Sequence, residues 1–325
     1  MYKNIIEDFV VKKARYLIAQ QESETSKDID LSAVAAIALN NLQPLYATTL
    51  NGWINQRLNA SKNFHNEIET AVNNALKKVQ QGDPLNSFSP IPESELSSPA
   101  YSLVKISQIL GKENVRWREI PKLLELAIAE KYAEKNSAKT KNKDEGETHI
   151  TNRNLLNHLK THFQSPRYTH KSDRQISERP FFEQQVLDSY LLRAKLRISN
   201  VMEKIVEEAV LNIMSEWSTE MKAQVNTEAI VAFALNRLPP MYATSELGCR
   251  FLRSRAINQL HQEINLIVSD ALVHVRRMPE YNNTPLPIYQ LDDEMAKVIP
   301  KISSILKRSD VNADNLVNVL EEYFG

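Results

Sequence analysis

The sequence predicts an all-α protein made of two tandem copies of one small helical domain joined by a long polar linker. Three observations carry this. Only 6 of the 325 residues are Gly. Apolar residues recur at helical spacing over long segments, and no segment alternates as a half-buried strand does. The chain also overlays itself at a single offset: shifted by 196 residues, Asn4 to Val79 lies on Asn200 to Val275 without a gap, with about a third of positions identical.

Taken in order, the first helix of each copy carries a one-sided apolar stripe, Ile5, Ile6, Phe9 and Val10 in one and Val201, Met202, Ile205 and Val206 in the other. Asp30 and Asn226 stand in register as N-caps of a second helix that ends before Pro44 and Pro240. A third opens near Thr48/Thr49 or Thr244/Ser245, whose hydroxyls cap well. The last strong helix carries Ile68, Val72, Ala75, Leu76 and Val79, matched by Ile264, Val268, Ala271, Leu272 and Val275. Past a Pro-rich turn the overlay slips by one residue, with Pro90-Ile91-Pro92 facing Pro285-Leu286-Pro287, and then Lys105-Ile106-Ser107 meets Lys301-Ile302-Ser303. The domains are therefore placed at 1–128 and 196–325, each with a helical extension, and the linker at 129–195. Lys135 to Arg179 is polar and net basic; Asn154 to Phe163 reads as a short helix within it, and Phe181 to Arg197 as an extension of the second copy's first helix.

Composition excludes several classes. The glycines are too scattered for a Gly-rich phosphate loop, which removes the common nucleotide hydrolases and dinucleotide dehydrogenases. One cysteine, Cys249, gives neither a disulfide framework nor a thiolate zinc site, and a cytoplasmic location is the expectation. With 40 basic and 40 acidic residues, no global charge points to nucleic acid or a membrane surface, so any anion site is local. Leu31 to Gln56 holds no charged side chain, but its Asn, Gln and Pro residues mark buried core followed by a loop rather than a membrane span.

No nucleophile, acid/base pair or metal set stands out, so no enzyme, metal or cofactor is expected. His158 and His162 have the spacing of a helical metal pair but lack a third ligand. Asn4/Glu7 and Asn200/Glu203 share a helix face, and a cap or a polar contact to the neighbouring loop accounts for them. The Pro-x-Tyr-Ala-Thr-Thr/Ser loop is more suggestive. It sets Tyr46, Thr48 and Thr49, or Tyr242, Thr244 and Ser245, beside a helix N-terminus and ahead of Arg57 or Arg253. Helix N-termini attract phosphate; Tyr or Trp53 can stack on a base, and Arg can fork onto a guanine edge. A well-capped helix with a core Tyr is the alternative reading of the same residues.

At Ala38-Leu39-Asn40-Asn41-Leu42-Gln43-Pro44-Leu45-Tyr46-Ala47-Thr48-Thr49, Ala234-Leu235-Asn236-Arg237-Leu238-Pro239-Pro240-Met241-Tyr242-Ala243-Thr244-Ser245, Tyr2-x-Asn4-x-x-Glu7 and Asn200-Val201-Met202-Glu203, the chain resembles the ComFB family of late competence development proteins, abundant in cyanobacteria. The resemblance covers about half the chain and omits the linker. It implies a small helical domain that pairs as a dimer, without enzymatic activity, and reception of cyclic di-GMP. Family members that ligate zinc do so through cysteines absent here. The copies differ: Asn41 and Gln43 replace the pattern's Arg237 and Pro239, Trp53 faces Cys249, and Arg250 and Arg255 thicken the charge around Arg253, which favours copy two for phosphate. The expected ligand site comprises Tyr46, Thr48, Thr49, Trp53, Arg57, Arg237, Tyr242, Thr244, Ser245, Arg250 and Arg253. The pairing is an intramolecular pseudo-dimer or a homodimer, with an unidentified downstream protein. A protein–protein adaptor without a nucleotide is the second reading.

Overall fold

The computed structural model describes residues 2–21, 29–81, 89–96, 98–140, 181–277 and 284–324. Its first copy comprises β1 (Lys3–Asn4), α1 (Ile6–Ala19), α2 (Leu31–Leu39), β2 (Tyr46–Ala47), α3 (Leu50–Asn63) and α4 (His65–Gln80). After α5 (Ser98–Ile109), α6 (Ile120–Thr140) and α7 (Phe181–Leu196), the second copy comprises β3 (Ser199–Asn200), α8 (Val201–Met214), the short α9 (Thr219–Ala223), α10 (Thr227–Leu235), β4 (Tyr242–Ala243) and α11 (Glu246–Arg277). The chain closes with α12 (Tyr289–Leu306) and α13 (Leu316–Phe324).

The expected caps form. Asp30 accepts from the Ser32 N–H at 2.8 Å and Asn226 from that of Ala229 at 2.9 Å, relieving donors that a helix start leaves unpaired. The uncharged stretch is explained by α2, which buries Ala33, Val34, Ala35, Ala36, Ala38 and Leu39; a helix apolar all round belongs inside. Each Tyr-Ala pair forms a two-residue antiparallel ladder that periodicity could not reveal, Asn4 opposite Tyr46 and Asn200 opposite Tyr242.

Two differences from expectation are informative. Phe181 to Arg197 does not run on into the first helix of copy two. Arg197 takes a left-handed φ of 52°, which ends α7, and β3 intervenes before α8. In copy two the third and last helices are one 32-residue helix, α11, whereas copy one breaks at Phe64 (φ −106°, ψ 6°). The approach to that break holds Asn59, Ser61 and Asn63. Ser61 donates to the Leu58 carbonyl at 3.0 Å, a competition with the helix backbone that Ile257 cannot make at the matching place, and Asn59 and Asn63 are weaker helix formers than the matching Arg255 and Gln259.

The compact units do not follow the repeat boundaries. One unit takes 1–101 together with 191–290, so the cores of both copies share it; the other takes 102–190 with 291–325. Within the second unit Trp117 is fully buried, its indole N–H 3.5 Å from the Tyr190 hydroxyl, which donates to Asp292 at 2.7 Å. Burial raises the Asp292 carboxyl above its ordinary range. Arg116 joins Glu183 at 2.9 Å and also Glu294. Gly111 (φ 61°) ends α5, and Lys307 (φ 55°), its counterpart at the same offset, ends α12. The proposed helix at Asn154 to Phe163, with His158 and His162, lies outside the described residues. Among those described, no helix is long and apolar enough to cross a membrane.

Candidate functional site

Where the two copies meet, the residues that repeat most faithfully form one buried polar network. Asn4 accepts from the Leu45 N–H and Asn200 from that of Met241, each at 2.9 Å. Each asparagine then donates across to the other copy's tyrosine, Asn4 to the Tyr242 hydroxyl at 3.0 Å and Asn200 to that of Tyr46 at 2.9 Å. The Tyr46 hydroxyl donates to Glu203 and the Tyr242 hydroxyl to Glu7. One guanidinium, Arg193 at the end of α7, serves both carboxylates, reaching Glu7 at 2.5 Å and Glu203 at 2.6 Å.

Charge balance makes this burial tolerable. Burial pushes the Glu7 carboxyl up, but Arg193 and Lys3 outweigh it and hold it at about 2. Burial favours a neutral guanidinium at Arg193, yet Glu203 and Glu7 keep it charged. Burial, reinforced by Glu203 or Glu7, raises both phenols well above their ordinary range, so Tyr46 and Tyr242 act as donors. A second exchange fixes the loops. Asn236 accepts from the Tyr46 N–H at 2.6 Å and donates to its carbonyl at 3.1 Å, while Asn40 does the same for Tyr242 at 2.6 and 2.9 Å. Each copy's asparagine thereby pairs with the other's backbone as a strand edge would.

The expected site residues are therefore distributed, not gathered. Tyr46 and Tyr242 are 3% and 2% exposed and belong to the network. Thr49 and Ser245 cap their helices, each accepting at 3.1 Å from Gly52 or Gly248. A Cβ on either glycine would lie 3.1 Å from that hydroxyl, which accounts for glycine in both copies. The first helical N–H groups are engaged too: Leu50 donates to the Thr284 carbonyl at 2.9 Å and Glu246 to that of Ser89 at 3.2 Å. Thr48 and Thr244 are half-buried, and Arg250 is exposed. Trp53 is buried, with Arg57 stacked on it at 4.6 Å and bonded to Asp8 at 2.8 Å. Arg253 pairs with Glu95 at 2.9 Å.

One expected residue, Arg237, instead lines a half-open cleft of about 440 Å³ with Gln43, Pro44, Leu45, Gln56, Asn59, Phe64 and Asn236. That volume lies in the range of small-molecule sites. Its wall is the Pro44 loop of copy one, held by Asn236 of copy two; its far side is α3 and the break at Phe64. Arg237 stacks on Phe233 at 3.3 Å and donates to that residue's carbonyl at 3.1 Å. Gln56 and Asn59, three residues apart on α3, share a helix face, the spacing through which sequence could have found them. At the matching places copy two carries Leu252 and Arg255, Pro239 for Gln43 and Leu260 for Phe64. Among the described residues no three His, Cys, Asp or Glu side chains come together so as to hold a metal ion.

No curated protein matches the chain. The family model of the late competence development protein ComFB matches residues 3–83 and again residues 199–279, the two segments that carry the shared network apart from Arg193. The chain belongs to the ComFB family through both of its halves, as a tandem pair of ComFB domains.

Proposed function

We propose that the protein is a non-catalytic, cytoplasmic receptor for a cyclic dinucleotide, cyclic di-GMP, with its ligand held in the Gln43–Arg237 cleft. The observation that carries the reading is the composition of that cleft. A cationic side chain from one copy faces the carboxamides of Gln43, Gln56 and Asn59 and the ring of Phe64 from the other. A guanidinium suits a phosphate or a guanine edge, carboxamides can donate and accept along a base, and an aromatic ring offers stacking. The other arginines expected at the site, Arg57 and Arg253, do not line the cleft and are paired with Asp8 and Glu95. A ligand bridging a loop of one copy and Arg237 of the other would report on their packing. The cytoplasmic assignment rests on the single cysteine, Cys249, which is free and can form no disulfide framework.

Calorimetric titration of the full chain with cyclic di-GMP tests this. Binding is expected at micromolar ligand. Arg237→Ala is expected to weaken it by about tenfold or more, the scale of one charge-assisted hydrogen bond, and Arg250→Ala to leave it within about twofold because that side chain lies outside the cleft. No heat from the wild type, or full affinity in Arg237→Ala, overturns the reading. A protein–protein adaptor is favoured by one feature: α11 leaves Leu247, Phe251 and Leu266 exposed by 56%, 55% and 72%. A pulled-down partner lost on Leu247→Ser and Phe251→Ser, and indifferent to nucleotide, supports that role.

A further inference from the structure

The shared network repeats its asparagines, glutamates and tyrosines in both copies, although Arg193 has no counterpart and Lys3 is matched by Ser199, and the rim around it differs as well. Asp8 and Lys204 occupy matching positions at the 196-residue offset, and after the one-residue slip Glu95 matches Gln290. In copy one, Arg57 is neutralised within its own copy by Asp8 at 2.8 Å. In copy two the equivalent Arg253 finds a lysine at that place. Its carboxylate comes from copy one: the arm holding Ser89 to Glu95 crosses over, pairs Pro90 with Ser245, and delivers Glu95 to Arg253 at 2.9 Å and Lys204 at 3.1 Å. Lys204 also donates to the Ser94 carbonyl at 2.6 Å. Hydrogen bonds from Arg253 and Lys204 overcome burial and hold the Glu95 carboxyl below its ordinary range. The reciprocal arm of copy two crosses to copy one, pairing Pro285 with Thr49, and carries the neutral Gln290. A further mismatch lies next to the network, where Tyr2 of copy one donates to Glu207 of copy two at 2.7 Å; the matching residues are Ile198 and Val11, both buried.

We propose that this rim is a charge code that makes copy one pair with copy two and rejects a second copy of its own kind. At the positions named, mixed pairing leaves a single surplus positive charge over the two arms. Two first copies would set Glu95 beside Asp8 on each arm, a surplus of two negative charges. Two second copies would leave Lys204 and Arg253 facing Gln290 on each arm, a surplus of four positive charges. Like charges brought together at an interface exclude the wrong partner more strongly than matched ones attract the right one. The partner that fits the face of copy one is thus copy two of this chain, and the discriminating residues are Asp8, Glu95, Lys204 and Gln290.

The test uses the whole chain with a protease site inserted after residue 150. Light and heavy isotope-labelled, cleaved chains are mixed, allowed to exchange by dialysis from urea, and weighed by native mass spectrometry. Like-with-like pairs are expected at less than about a tenth of their statistical share, and a statistical mixture overturns the proposal. The double variant Glu95→Gln with Lys204→Asp leaves every arm neutral, in like and mixed pairs alike. It is expected to raise the like-with-like share about fivefold or more. An unchanged share in that variant assigns the selectivity to other contacts and overturns the code. Repeating the wild-type exchange at 1 M salt gives a readout free of substitutions, since screening of Lys204 and Arg253, 42% and 37% exposed, is expected to raise the same share, and a salt-independent share again overturns it.

Discussion

Copy one breaks its long helix at Phe64 and lines a cleft, while copy two runs straight through the matching Leu260. Yet Asn4/Asn200, Glu7/Glu203, Asn40/Asn236 and Tyr46/Tyr242 are identical and make matching bonds across the centre. The difference teaches where repetition comes from in this chain. A buried hydrogen-bonded network allows no half-measures, because each unpaired member costs the full desolvation of its partner. Rim and cleft face water and can diverge.

The largest expected effect breaks the centre that both copies share. Arg193→Met leaves Glu7 and Glu203 buried near one another without their common cation, and urea unfolding should show a loss of about 3–5 kcal/mol. Adding Glu7→Gln and Glu203→Gln should restore a large part of it; a loss confined to a few tenths would mean that the network contributes little.

Acid tests that centre through Glu7. Glu7 is held at about 2 against an ordinary 4.5. Its folded value is depressed, so its contribution is complete above pH 4.5 and drains away as the pH falls toward 2. Over that window the wild type should lose up to about 3 kcal/mol that a Glu7→Gln variant does not lose, which unfolding midpoints across the range would measure.

Asn40→Ala and Asn236→Ala sharpen the symmetry. Each strips two hydrogen bonds from the other copy's tyrosine backbone, at about 1–3 kcal/mol. Equal losses are expected, since the two exchanges match atom for atom.

The smallest effect comes from the arginines that match in sequence and differ in setting. Arg57 is 22% exposed and packs on Trp53, whereas Arg253 is 37% exposed and paired to an arm. Arg57→Ala should therefore cost about 1–2 kcal/mol through lost stacking and packing, and Arg253→Ala under about 1 kcal/mol after solvent screening. Thermal melts in which Arg253→Ala is the more damaging would reverse the comparison.

Much of the fold was legible. Asp30 and Asn226 announced helix starts, Pro44 and Pro240 announced ends, and an uncharged run ending at Gln56 correctly meant core and loop. Asn4 proved to bind the neighbouring loop, as its position suggested. The helix break at Phe64 was less legible, because it depends on several weak local competitions that add up. The site was the least legible part. The Tyr-Ala-Thr motif has the chemistry of a nucleotide site, but nothing local tells whether a tyrosine points outward to a ligand or inward to a carboxylate 157 residues away.

The sequence alone determined the duplication, the helical class, the caps and the absence of Gly-rich phosphate loops, since each rests on interactions within a few residues or on repetition itself. Only the tertiary structure decided that both copies fold into one unit, that Arg193 joins their two glutamates, and that the arms exchange. Those depend on which distant surfaces meet. When they meet, burial turns residues that local chemistry leaves ambiguous into parts of a single charge-balanced core.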